Sequence, residues 1–207
     1  MKDYTGFDLW ADGYDQTVQM AEEADEYPFA GYTQVLSDIY AQMRRRGARR
    51  VLDVGFGTGV LAAKLYGDGI AVTGIDFSPR MMEIAREKMP GAELICHDFS
   101  FGLPEALAGR EYDAIICTYA IHHINEESQI DLVRQMQDHL AAEGRIYIGD
   151  VAFENEVQRE KCRKEAGDDW DEEEFYPVAA QYRRCFPGLV FEQISFCAGV
   201  ITISGKR

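Results

Sequence analysis

Apolar residues along the chain fall into short runs separated by helical patterns, an alternation that predicts βαβ units and a mostly parallel sheet. Residues 51–54 (Val-Leu-Asp-Val) carry three apolar side chains suited to a buried strand. Gly55, Gly57 and Gly59 follow, and residues 60–66 then read as a helix. Residues 71–75 predict a second strand. After it Ser78 suits an N-cap and Pro79 the first helical position, and Met81, Ala85 and Met89 share one face of a helix that Pro90-Gly91 closes. Residues 93–96 form a weaker third strand and residues 113–118 a fourth. Asn125 caps a predicted helix in which Ile130, Val133, Met136 and Leu140 recur at helical spacing, ending near Gly144. Residues 145–151 are the fifth strand.

Both ends depart from that rhythm. Residues 1–46 read as a helical cap of two helices flanking a break at Tyr27-Pro28, ahead of a core over 50–151. Residues 152–187 are polar, acidic and expected to be helical, a segment placed to act as a lid. Residues 188–207 hold two β-rich runs separated only by Cys197-Ala198-Gly199. So short a link cannot contain a crossover, so the two runs should pair as an antiparallel hairpin at one side of the sheet. At 207 residues the whole reads as one domain.

The three glycines and Asp53 carry the chemistry. Glycines at this point let the chain turn tightly and a ligand approach the backbone, and the helix start beyond them presents free N–H groups. The spacing is G-x-G-x-G, whereas the dinucleotide fingerprint is G-x-G-x-x-G. A carboxylate at position 53 would repel a pyrophosphate and attract an ammonium group, directly or through water. A cationic ligand that bears a nucleoside satisfies both observations, and S-adenosylmethionine is the evident candidate.

Taken together these residues resemble the class I S-adenosylmethionine-dependent methyltransferases. Residues 51–59 (Val-Leu-Asp-Val-Gly-Phe-Gly-Thr-Gly) are similar to that family's first motif, Gly74-Ile75-Asp76-Phe77-Ser78 to its second and residues 113–124 to its fourth. Residues 10–18 resemble the opening of a small group of bacterial small-molecule methyltransferases. The resemblance implies an α/β, doubly wound, seven-stranded, mostly parallel Rossmann-like sheet with a terminal antiparallel hairpin. It also implies roles. Asp76 would accept from both ribose hydroxyls, the alternative being a helix-start charge; Phe77 would stack on adenine. Asp98 would accept from the adenine amino group or else cap a turn. Thr118 and the residues up to Ala120 would pass the methionine part. Tyr14 would fold over the cofactor or simply close its helix onto the core.

Methyl transfer from a sulfonium needs the nucleophile, methyl carbon and sulfur in line and water excluded, with a base only for a protonated acceptor. His122 and His123 follow the fourth strand near the expected methyl position, and either is a candidate base or a loop anchor. In an extended segment neighbouring side chains point to opposite sides, so at most one should face the pocket. The fourth motif, Cys117-Thr118-Tyr119-Ala120, lacks the Asn/Asp-Pro-Pro-aromatic pattern of amino-group methylation on adenine or glutamine. No Pro-Cys pair supports a cysteine nucleophile, and no His, Cys and carboxylate set has metal-ligand spacing, so no metal is expected.

Charge bounds the partners. A formal net charge of −15 disfavours a nucleic-acid substrate, whose binding rests on neutralising phosphates. Arg44, Arg45, Arg46, Arg49 and Arg50 read as a solvated helix end complementing the macrodipole. The acidic stretch 168–174 with Trp170 invites a lid that favours a cationic or amine-bearing acceptor. Five scattered cysteines read as buried free thiols of a reducing compartment. With no apolar leader and no run of membrane-spanning length, the expectation is a cytoplasmic enzyme, monomer or homodimer, acting on a small molecule. The rivals are a methyltransferase-like binding protein without turnover, a nucleotide-cofactor oxidoreductase and a tRNA methyltransferase.

Overall fold

The structure, a computed structural model, describes residues 26–206. Tyr14 and the first predicted helix lie outside them. Seven strands form one sheet in the order β3-β2-β1-β4-β5-β7-β6. They are β1 (Arg50–Val54), β2 (Ala71–Asp76), β3 (Glu93–Cys96), β4 (Tyr112–Thr118), β5 (Leu140–Val151), β6 (Val190–Gln193) and β7 (Ala198–Ser204). The first five run parallel, while β7 pairs antiparallel with both β5 and β6, as the short terminal link requires.

Side chains alternate between two cores. On one face Val51, Val72, Ala114, Ile116 and Tyr147 meet helices α1 (Tyr32–Arg46), α2 (Val60–Gly67) and α3 (Pro79–Lys88). On the other, Leu52, Ile115, Cys117, Ile146 and Ile148 meet α4 (Glu126–Asp138) and the short α6 (Ala179–Tyr182). Helix α5 (Glu156–Ala166) is mostly exposed and buries only Cys162. Strands apolar on both faces need helices on both, which is the doubly wound arrangement. Local sequence sets the helix ends: Ser78 Oγ accepts from the Met81 N–H with Pro79 at the first helical position, and Asn125 Oδ1 accepts from the Ser128 N–H.

Three sequence expectations need correction. Helix α4 ends at Asp138, and Leu140 opens β5 instead of continuing the helix. Leu140 satisfies the helical period, yet it sits opposite Tyr112 in the ladder, and the register then slips so that Ala114 faces Arg145. Residues 152–187 are helical only in part, since the chain between Trp170 and Val178 is irregular, with a turn at 172–173 and a single parallel bridge, Phe153 to Val178. All five cysteines are free, but only Cys117, Cys162 and Cys197 are buried; Cys96 and Cys185 are exposed. Among the described residues no helix is long and apolar enough to cross a membrane.

The sheet order reverses direction between β1 and β4. In open parallel sheets the crevice at the carboxyl ends of such a pair is where ligands bind.

Candidate active site

A cavity of about 410 Å³ opens at that point. Asp53 of β1, Asp76 of β2 and Thr118 of β4 all line it from the carboxyl ends of their strands. Gly55, Gly57, Phe77, His122 and His123 line it as well. Gly59 instead serves as the N-cap of α2, with φ 75°. Asp98 is not part of the wall: its Oδ1 accepts the Ser100 N–H at 2.9 Å and so caps a short 3₁₀ turn, whose Phe99 does line the cavity.

The glycine turn explains how a ligand can lie against main chain here. Gly57 has φ 55°, a conformation that costs other residues, and a Cβ placed on it would meet nothing within 4 Å, so its open side is available to a ligand. Gly55, at φ 74°, is needed for the opposite reason: a Cβ there would lie 2.6 Å from that of Ala120. The main chain after β4 is equally tight. Tyr119 is the only described non-glycine residue at positive φ, 48°, and its N–H donates to Gly149 O at 2.8 Å.

Two acidic side chains, at the ends of β1 and β2, sit on one side of the cavity. Asp76 Oδ2 accepts from the Gly57 N–H and Oδ1 from the Ser78 N–H, both at 2.9 Å, so this side chain organises the glycine turn itself. Asp53 is almost fully buried, and its Oδ1 has no hydrogen-bond partner among the described residues. Burial, and secondarily the nearby Asp76, pushes its carboxyl up to about 8. A buried, unsatisfied carboxylate oxygen on the wall of a cavity fits a ligand that brings an ammonium group.

The far side of the cavity gathers His122, His123, Glu174 and Tyr176. Extended geometry would send the two histidines apart, but Ile121–His123 is a 3₁₀ turn, and the ring centroids lie 4.1 Å from each other. Both therefore reach the cavity, against the expectation from strand alternation. His122 Nδ1 lies 2.7 Å from Oδ1 of Asp150, a fully buried residue near the end of β5. Glu174 Oε1 is 3.4 Å from His122 Nε2 and 3.9 Å from His123 Nδ1. Its other oxygen accepts from the Tyr176 hydroxyl, which also bonds to the hydroxyl of Tyr27. Of the acidic stretch 168–174 only Glu174 lines the cavity, while Trp170 stacks on Tyr27 with centroids 5.5 Å apart. Glu172 instead pairs with Arg163.

Sequence reading missed Tyr32, Asp150, Glu174 and Tyr176, and passed over Phe56 inside the glycine motif. No motif marks the other four, which come from α1, β5 and the segment after α5; the acidic stretch was the only signal, and it did not single out position 174.

Comparison with known proteins agrees with this geometry. A family model described as a methyltransferase domain matches residues 51–144. An uncharacterized methyltransferase of Oceanobacillus iheyensis is 32% identical over 188 residues, covering 87% of this chain and 84% of that protein. The uncharacterized methyltransferase YrrT of Bacillus subtilis is 36% identical over 151 residues, 72% of this chain and 67% of the relative. In fold, the chain is similar to magnesium protoporphyrin IX methyltransferase (ChlM) from Synechocystis PCC 6803 with bound SAH, at TM-score 0.66 and 17% identity over 86% of this chain and 85% of that one.

Proposed function

This chain belongs to the class I S-adenosylmethionine-dependent methyltransferase family, and on that premise we propose that the cavity receives S-adenosylmethionine with its methyl group directed at a small-molecule acceptor beside His122, His123 and Glu174. In this reading Asp53 meets the cofactor ammonium, Gly55 and Gly57 let the ligand approach the main chain, and Asp76 receives the ribose hydroxyls. Phe77 lies against adenine, Phe99 of the turn that Asp98 caps lines the same cavity, and the main chain of residues 118–120 borders the methionine part. When bound, the cofactor supplies a methyl group on a sulfonium, a good leaving group.

The residues of this chain then have a positioning task. Rigid main chain on both sides, the glycine turn after β1 and the Tyr119 turn after β4, fixes the bound molecule, and aromatic walls from Phe29, Tyr32, Tyr119 and Tyr176 exclude water. An acceptor entering at the histidine side would attack the methyl carbon in line from there. The observation that carries this reading is the unsatisfied Asp53 Oδ1 on the wall of the cavity that Asp76 and the glycine turn share.

Calorimetric titration with S-adenosylmethionine and S-adenosylhomocysteine, with NADH as control, tests it. Micromolar binding of the first two and none of NADH is expected. Asp76→Ala should weaken that binding by about 1–3 kcal/mol, through the lost charge-assisted hydrogen bonds. Folded protein that binds neither sulfur ligand would overturn the reading, and unchanged affinity in Asp76→Ala would remove the ribose from Asp76.

A further inference from the structure

His122, His123 and Glu174 are far apart in sequence but converge on one point of the cavity wall. One ligand atom of each lies within 4.8 Å of the others. The His122 Nε2 to Glu174 Oε1 separation of 3.4 Å and the His123 Nδ1 to Glu174 Oε1 separation of 3.9 Å are too long for charge-assisted hydrogen bonds, which fall at about 2.7–2.9 Å. The first lies within the donor–donor edge of a tetrahedral ion, about 3.3–3.6 Å for metal bonds of about 2.0–2.2 Å, and the second is longer, so binding an ion would draw His123 inward.

The surroundings match as well. Asp150 Oδ1, 2.7 Å from His122 Nδ1, holds the proton on that nitrogen and puts the lone pair on Nε2, the nitrogen that faces Glu174. A buried carboxylate behind a histidine in this way is the usual support of a metal-ligating imidazole. Tyr176 orients Glu174 from its other oxygen. The two supplying segments are tied together: the Phe175 N–H donates to His122 O at 2.8 Å, and Gln129 Nε2 donates to Ile124 O at 2.9 Å and to Phe175 O at 2.5 Å. Among the described residues lining the cavity there are three carboxylates, Asp53, Asp76 and Glu174, and no lysine or arginine. A cation at this point would offset the charge of Glu174.

We propose that His122, His123 and Glu174 bind one divalent first-row transition ion of the zinc type, with its fourth position open to the cavity. Two imidazoles and a carboxylate form the N/O donor set that such ions take, and three protein ligands with one open position is the pattern of a reactive site. The site stands on its own geometry; its use rests on the methyl-transfer reading above. There, a hydroxyl or thiol of the acceptor occupies the open position and releases its proton to water. The resulting oxygen or sulfur lone pair bonds to the methyl carbon as the carbon–sulfur bond of the cofactor breaks, the bonding pair stays on that sulfur, and S-adenosylhomocysteine leaves. The acceptor class is therefore alcohols, phenols or thiols. His122 Nε2, committed to the ion, is not the base.

The test uses the full chain after chelation, titrated with Zn²⁺ by calorimetry and with Co²⁺ by visible absorption. One equivalent should bind, with the intense absorption of four-coordinate Co²⁺. His123→Ala and Glu174→Gln should each weaken Zn²⁺ binding at least about tenfold, and Asp150→Asn by about 10- to 100-fold. S-adenosylhomocysteine affinity, measured in parallel, reports whether each variant keeps its cavity. No saturable Zn²⁺ binding in protein that still binds S-adenosylhomocysteine would overturn the metal site and leave the methyltransferase reading intact. Zn²⁺ binding unchanged in both His123→Ala and Glu174→Gln would also overturn it, assigning the ion to surface groups such as the exposed thiols Cys96 and Cys185.

Discussion

In the proposed reading Asp53 couples cofactor binding to pH. Its carboxyl is raised from the ordinary 3.8 to about 8, first by burial and then by Asp76, so without ligand it stays protonated through the neutral range. Between those two values the folded protein holds a proton that the unfolded chain has lost, so stability from this group falls as pH rises across that window. A ligand ammonium reverses the preference by favouring the ionised form. S-adenosylhomocysteine binding at pH 7 should therefore release up to one proton, and its affinity should rise by up to about tenfold per pH unit between pH 6 and 8. Calorimetry in two buffers of different ionisation enthalpy measures the proton, and Asp53→Asn should abolish both effects. Proton release that persists in that variant would place the titration elsewhere. Asp53, Asp76 and the glycines were legible in the sequence because they are local: a strand end and a turn adjoin each other along the chain. Asp150 and Glu174 were not, since their meeting with His122 exists only once β5 and the segment after α5 have packed.

Among the elements, strands and helices with a clear period were read well, and the errors fell where two structures share one pattern. Leu140 fits both the helical spacing of α4 and the first rung of β5, and pairing with β4 decides the outcome. The same competition turned residues 121–123 from a strand extension into a 3₁₀ turn and brought both histidines to the cavity. A buried polar knot holds that turn. Gln129 of α4 is fully buried; its Nε2 serves Ile124 O and Phe175 O, and its Oε1 accepts from the Tyr182 hydroxyl at 2.8 Å. Gln129→Leu would strand those groups, each unsatisfied one costing about 1–3 kcal/mol, so unfolding stability should drop by at least about 2 kcal/mol in urea titration. Adding Tyr182→Phe removes one stranded hydroxyl, so the double variant should be more stable than the sum of the single losses predicts. Strict additivity would mean that Gln129 and Tyr182 act independently.

At the scale of the molecule, charge and topology together disfavour a nucleic-acid acceptor. The net charge of −15 opposes a phosphate backbone, yet Arg44, Arg45 and Arg46 do form a basic end to α1, with Arg49 and Arg50 just beyond. Arg50 begins β1, while the cavity lies past its carboxyl end. At about 3.3 Å per residue the strand separates the two by roughly 13 Å, so a phosphate drawn to the arginines would be held at the opposite ends of the strands from the cavity. The sequence suggested a solvated helix end, and the sheet supplies the reason that even an occupied one would be unproductive. Mobility-shift titration with bulk tRNA at about 0.1 M salt should accordingly show no saturable complex, and replacing Arg44, Arg45 and Arg46 together by Glu should leave methyl transfer to a small acceptor unchanged. Tight tRNA binding that weakens steeply with salt and disappears in the triple variant would reverse this conclusion, because the arginines would then be recruiting a substrate long enough to reach around the sheet to the cavity.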